Sequence, residues 1–200
     1  MEFASKLRWV LVIFILLFIL VFVGWGLSAV ARSVFGGRNT SNTVATDEVA
    51  TPQLDGINVV RYIVDGPVVA SSEHRSYVIE VSRSVVMMRL YSDYGQKIIK
   101  EKSYVNNSEA FNTFIDSLEE ANATARYAGT DTDDDQADKG VCPTGRRYII
   151  ELGDDLRRWT TSCDRKDGTA AGKMTTMRGL FEKQVPDFKE MLKGTSLNRR

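Results

Sequence analysis

The sequence is poor in several residue types, and each shortage excludes a class of function. It has a single histidine, His74, so a site built from several histidine ligands is excluded. It contains no nucleophile elbow, phosphate-binding loop or dinucleotide fingerprint. Basic and acidic residues balance at 26 each, whereas nucleic-acid-binding domains normally carry a basic excess. We therefore expect neither a cofactor nor a nucleic acid as a partner.

Charge is absent from one long segment near the N-terminus. Residues 9–31 are apolar throughout and contain no charged side chain. A helix needs about 20 such residues to cross the hydrocarbon core of a bilayer. Trp9 and Trp25 stand where aromatic residues meet the membrane–water interface. The pattern predicts one transmembrane helix over 9–31, with the lipid bilayer as its partner.

The same segment could instead be a signal peptide that is removed. Lys6 and Arg8 provide a charged start, and Ala29-Val30-Ala31 would serve as a cleavage site. A cleavable peptide, however, has an apolar core of only about 7–15 residues, and this one is longer. The length favours a retained signal anchor with residues 1–8 as a cytoplasmic tail.

The chain has only two cysteines, and both follow the apolar segment. Cys142 and Cys163 form an even pair, which in a protein outside the cytosol suggests a disulfide, with free thiols as the alternative. Closing this loop would stabilise the fold by about 3 kcal/mol on the chain-entropy model. Basic residues flank the apolar segment on both sides, so their distribution does not indicate on which side of the membrane the domain lies. The cysteine pair favours a C-terminal domain outside the cytoplasm.

Residues 32–56 are small and polar, without a sustained apolar period. A segment of this composition cannot bury enough apolar surface to offset the conformational entropy that it would lose on folding. The composition therefore predicts a flexible stalk. The domain is then expected over 57–194, and 195–200 form a tail.

Within the domain, the hydrophobic period changes several times. A period of two indicates strands, and spacings of three and four indicate amphipathic helices. Pro186 should kink or split the second helix because proline lacks a backbone donor. The pattern predicts an α+β domain, in which an antiparallel sheet of about five strands carries two helices on one face. The predicted strands fall within 59–64, 77–82, 85–91, 96–105, 146–152 and 156–162, and the helices within 108–121 and 177–192.

Acidic residues crowd one irregular stretch. Asp131, Asp133 and Asp135 occupy alternate positions, as oxygen ligands do in calcium loops. Gln136 stands where such a loop needs glycine, and Cys142 where it needs glutamate. A solvated acidic loop is therefore favoured over a weak divalent-cation site.

Arginines concentrate on the second hairpin, at Arg146, Arg147, Arg157 and Arg158. They could solubilise its edges, or form a binding patch for an acidic polymer or lipid headgroups. Adjacent side chains on a strand point to opposite faces, so at most half of them can share one surface.

A nucleophilic Cys–His pair is the enzymatic alternative. The segment Trp159-Thr160-Thr161-Ser162-Cys163 is similar to the cysteine-bearing strand of sortases, which are also membrane-anchored. That resemblance implies Cys163 as nucleophile, with His74 as its base. The family needs an arginine on a following strand, and here a glycine-rich loop follows instead. His74 is otherwise expected to be an ordinary surface histidine.

A pilin-like surface subunit is a further alternative, because pilins also combine an apolar N-terminal helix with a β-rich head. The residues around Glu2 and Phe3 do not follow one another in the sequence that the pilin processing site needs. The interpretation that the sequence favours is a single-pass protein whose extracytoplasmic domain binds or scaffolds an envelope or cell-surface protein or polymer.

Overall fold

The computed structural model describes Leu54 and residues 56–131, 133–164 and 167–198. These residues belong to one unit, Val49–Arg200. The predicted tail 1–8, the predicted span 9–31 and nearly all of the predicted stalk 32–56 lie outside the described residues. Within the described part, no helix has both the length and the apolar character needed to cross a membrane.

Six strands form one antiparallel sheet. They are β1 (Val59–Asp65), β2 (Arg75–Ser82), β3 (Val85–Ser92), β4 (Lys97–Val105), β5 (Arg147–Leu152) and β6 (Leu156–Thr161). Their spatial order is β4-β3-β2-β1-β5-β6. The α+β class and the antiparallel sheet are confirmed, with six strands in the described residues rather than about five.

The described residues contain three α-helices: α1 (Ser108–Glu120), between β4 and β5, and α2 (Met174–Lys183) and α3 (Phe188–Leu192), which both follow β6. The side chain of Asn107 caps α1 by accepting a hydrogen bond from the Ala110 amide at 2.9 Å. Pro186 lies between α2 and α3. The predicted break in the second helix is therefore confirmed.

The helices pack on one face of the sheet, where aromatic rings join them to the strands. Tyr62 of β1 stacks on Phe181 of α2 with ring centres 5.4 Å apart. Phe114 of α1 meets the same Phe181 edge-on at 5.0 Å. Tyr77 of β2 meets Phe188 of α3 at 5.6 Å. Burial of these rings makes this layer the hydrophobic core of the domain.

Apolar residues near both ends of the described chain join this core. Leu54 was assigned to the stalk and Leu197 to the tail, yet they are only 3% and 5% exposed. The Leu54 amide also donates to Oε1 of Glu119 at 3.3 Å. Each is a single apolar residue without periodic neighbours, so the sequence pattern could not reveal its burial.

The β5–β6 hairpin turns at residues 153–155, with Arg147 opposite Thr161 and Leu152 opposite Leu156. Its outer edge is occupied by other segments of the chain. The amides of Thr169 and Ala170 both donate to the Trp159 carbonyl, at 2.9 and 3.0 Å. These bonds occupy the outer edge of β6 at Trp159, which hinders pairing with another strand there.

Candidate functional site

The two cysteines lie where the hairpin opens. The sulfurs of Cys142 and Cys163 are at disulfide distance, and their Cα atoms are 5.7 Å apart. A turn closed by the Gly145 amide, which donates to the Cys142 carbonyl at 3.1 Å, brings the first cysteine back to the second. A side chain at Gly145 would collide with both sulfurs and with Ser162. The turn therefore requires glycine at this position.

The four arginines of the hairpin do not form one exposed surface. Arg158 is buried, and its Nη1 donates to Oδ2 of Asp135 at 2.9 Å. Arg157 faces the other side of the sheet, and its Nη1 donates to Oδ1 of Asp138 at 2.9 Å. Arg147 forms an ion pair with Asp65. Three of the four charges are therefore neutralised inside the domain.

The fourth arginine has a different environment. Nη2 of Arg146 donates to the Ser196 carbonyl at 2.9 Å, which ties the hairpin to the C-terminal turn. Its side chain also lines a cleft described below.

The acidic loop takes part in the same ion pairs. Asp135 is 6% exposed, and its Oδ2 accepts hydrogen bonds from both Arg126 and Arg158. Oδ1 of Asp131 accepts from the Asp133 and Asp134 amides, at 2.9 and 3.3 Å. Within the described residues, no group of three or more metal-ligating side chains could hold an ion. The Asp131, Asp133 and Asp135 carboxylates do not converge on a common point.

The prediction that His74 lies at the surface is wrong. His74 is 1% exposed and stacks on Tyr94 with ring centres 3.9 Å apart. Its Nε2 lies 3.0 Å from Oδ1 of Asp65, which is ion-pair distance, although the contact is not aligned as a hydrogen bond. An enclosed imidazole has no access to a substrate, so this geometry gives His74 a structural role.

The sequence did not predict a cleft on the helix side of β5 and β6. We call it the hydroxyl cleft, after the hydroxyl side chains Thr160, Thr161, Ser162 and Thr175 that line it. Its cavity volume is about 520 Å³. Tyr62, Tyr127 and Tyr148 supply aromatic walls, and Lys173 and Arg178 supply positive charge. Among the described lining residues, none is acidic.

A second cleft adjoins the first. It lies beside Leu197 and Asn198 near the C-terminal end, and we call it the terminal cleft. Its cavity volume is about 710 Å³. Tyr148 and Arg178 line both clefts, so the two cavities lie beside these shared side chains.

Arg178 stays charged at this junction. Burial is the largest influence and lowers the pKa of Arg178. The hydrogen bond from its Nε to Oε1 of Glu182, at 2.6 Å, together with the negative charge of that carboxylate and the nearby Tyr62 and Tyr77, more than offsets burial and leaves the pKa raised. Burial raises the pKa of Tyr62 and of Tyr77, so both phenols remain neutral. The junction therefore presents the guanidinium of the Arg178–Glu182 ion pair beside neutral aromatic rings.

The residues of the hydroxyl cleft come from segments far apart in the chain. Tyr62 lies in β1, Thr160 in β6 and Arg178 in α2, and their proximity depends on the strand order and on the position of α2. The run of hydroxyl side chains at Thr160, Thr161 and Ser162 was the one local signal. Comparisons of the chain with protein families, curated proteins and solved structures found no match.

Proposed function

We propose that the chain is a single-pass membrane protein whose extracytoplasmic domain is a binding module, and that its hydroxyl cleft holds an anionic ligand. The uncharged segment 9–31 supports the anchor. The cysteine pair at disulfide distance supports an oxidising compartment for the domain. The cleft supports binding, because ligand sites are concave and carry a few well-placed polar groups.

The charge of the cleft is the observation that carries this proposal. Lys173 and Arg178 line it, and none of its described lining residues is acidic. A concave, low-dielectric surface concentrates the field of such charges and attracts anions. Glu182 accepts from Nε of Arg178, while no hydrogen bond of the two Nη nitrogens is found among the described residues. A guanidinium presents these donors in a planar fork that suits a carboxylate or a phosphate.

Binding of anionic polymers to the full chain in lipid nanodiscs tests the proposal. The probes are polygalacturonate, polyglutamate and polyphosphate, with neutral dextran as the uncharged comparison. We expect at least one anionic probe to bind, and Lys173→Gln to weaken it roughly two- to fivefold, the loss typical of one exposed charge contact.

Lys97→Gln is the matched control, because it removes the same charge from an exposed position on β4. It should leave binding unchanged. If no anionic probe binds better than dextran, or if both variants weaken binding equally, the cleft does not hold an anionic ligand.

Labelling of thiols in intact cells tests the compartment. A membrane-impermeant maleimide should label Cys142 and Cys163 only after a reductant is added. Labelling without reductant would contradict the disulfide and favour the alternative in which Cys163 is a nucleophile. Labelling that requires permeabilised cells would place the domain in the cytoplasm and contradict the orientation.

A further inference from the structure

The hydroxyl cleft and the terminal cleft share part of their walls. Tyr148 and Arg178 belong to the walls of both, and the volumes are about 520 and 710 Å³. Each volume alone lies in the range of about 300–1,000 Å³ that holds a drug-sized molecule. Two such cavities in line offer room for successive units of a chain.

The terminal cleft also has an excess of positive charge. Arg146, Arg178, Lys189 and Lys193 line it, together with two carboxylates, those of Glu182 and Glu190. Each of these carboxylates already has a cationic partner. Oε1 of Glu182 accepts from Arg178 at 2.6 Å, and Oε1 of Glu190 lies 3.5 Å from Nζ of Lys193. Lys189 is exposed at the rim. The positive charge of the first cleft therefore continues along the second.

The side chains at the junction and in the hydroxyl cleft suit sugar rings. Tyrosine offers a flat apolar face together with a polar hydroxyl group. Ser162 and Thr175 are exposed and add hydroxyl groups that can donate and accept hydrogen bonds. A ring with hydroxyl groups on its edge and an apolar face matches this lining.

An extended peptide fits this surface less well. Peptides that bind beside a sheet commonly gain affinity by adding a strand to a free edge. The β6 edge is already occupied, since the Thr169 and Ala170 amides donate to the Trp159 carbonyl and Gly168 bridges to Thr160. A peptide in the cleft would find the β6 edge already bonded at Trp159 and Thr160.

We infer that the two clefts form one groove that binds a linear acidic polysaccharide, with Arg178 and Tyr148 at its centre. This inference rests on the proposed function, because it assigns the chemical class and the chain form of the anion. The carboxylates of successive sugars would meet Lys173 in the first cleft, Arg178 at the junction and Lys189 in the second.

A series of oligogalacturonides, from the monomer upward, tests the inference on the full chain in nanodiscs. Affinity should rise with length until the oligomer spans both clefts and then level off. Lys173→Gln should weaken short and long oligomers alike, by roughly two- to fivefold. Lys189→Gln should weaken only the long ones by a similar factor, because short oligomers do not reach the terminal cleft. Both lysines are exposed, so neither substitution is expected to unfold the domain.

The outcomes separate this inference from the proposed function. Equal affinity for short and long oligomers, with Lys189→Gln neutral throughout, would overturn the continuous groove and leave a one-cleft site. Binding of polyglutamate in preference to every oligogalacturonide would overturn the polysaccharide class. Absence of binding by any anionic probe would overturn the proposed function as well.

Discussion

Arg158 donates a hydrogen bond from Nη1 to Oδ2 of Asp135 over 2.9 Å, and both side chains are buried at the edge of the sheet. Arg126 donates to the same oxygen. Burial lowers the pKa of Arg158, although the nearby Asp135 opposes this shift. The buried guanidinium therefore depends on one carboxylate for its compensating charge.

Replacing that carboxylate should destabilise the domain strongly. We expect Asp135→Ala to lower the free energy of unfolding by about 3–5 kcal/mol, because it leaves the Arg158 charge buried without its partner. Urea denaturation followed by circular dichroism measures the change. Asp133→Ala is the control, since Asp133 is an exposed residue of the same loop and should stay within about 0.5 kcal/mol of the parent. Equal stability of the two variants would contradict the compensating role of Asp135.

The close approach of Gly145 to the cysteine pair gives a second prediction. Gly145→Ala should hinder the disulfide and lower the melting temperature, because the added methyl group overlaps both sulfurs and Ser162. Gly179→Ala should instead leave stability unchanged or raise it by about 0.5–1 kcal/mol, since a side chain at this α2 position meets nothing within 4 Å. Differential scanning fluorimetry and titration of free thiols would compare the variants. A Gly145→Ala protein with no free thiol and an unchanged melting temperature would refute the steric argument.

The buried histidine gives a third prediction. His74→Ala removes the ring that stacks on Tyr94 and lies beside Asp65, so we expect it to lower the free energy of unfolding by about 2–3 kcal/mol. Tyr94→Phe keeps the stacking and loses only the hydrogen bonds between its hydroxyl and Val69, at a cost of about 1 kcal/mol. Chemical denaturation of both variants distinguishes the ring contact from the hydroxyl contact. Wild-type stability in His74→Ala would show that the enclosed imidazole contributes nothing.

A fourth prediction concerns acid. The hydrogen bond from Lys102 lowers the pKa of Asp187 below its ordinary 3.8, and this pair joins β4 to the turn before α3. Because the folded pKa lies below the unfolded pKa, the stabilisation is present above pH 3.8 and is lost as the pH falls through the folded value. Urea midpoints of Asp187→Asn and the parent should therefore differ near neutral pH and converge in acid. Asp116→Asn, on the exposed face of α1, should show no such convergence.

Local patterns predicted most of the described fold. The register of the β5–β6 hairpin followed from the turn at 153–155, because facing residues in a hairpin are set by the position of its turn. The break at Pro186 followed from the missing backbone donor. Both features depend on residues close together in the chain, which is why the sequence was sufficient.

The rest depends on contacts between distant residues. Leu54 and Leu197 reach the core from positions where no period marks them as buried. The partner of Arg158 is Asp135, and nothing local selects it among the neighbouring aspartates. The two clefts are lined by residues of α2 together with residues of β5 that are distant in the chain, so Tyr148 and Arg178 could not be recognised as neighbours beforehand.

The burial of Leu54 has a mechanical consequence. Its amide donates to Oε1 of Glu119 at the end of α1, and its side chain is held in the core. A force applied to the preceding residues would act first on this contact and only afterwards on the hydrogen bonds between β1 and its neighbouring strands. Single-molecule stretching from the N-terminal side should therefore show an early, low-force release of Leu54, and Glu119→Ala should lower that force while the force that unravels the sheet stays the same.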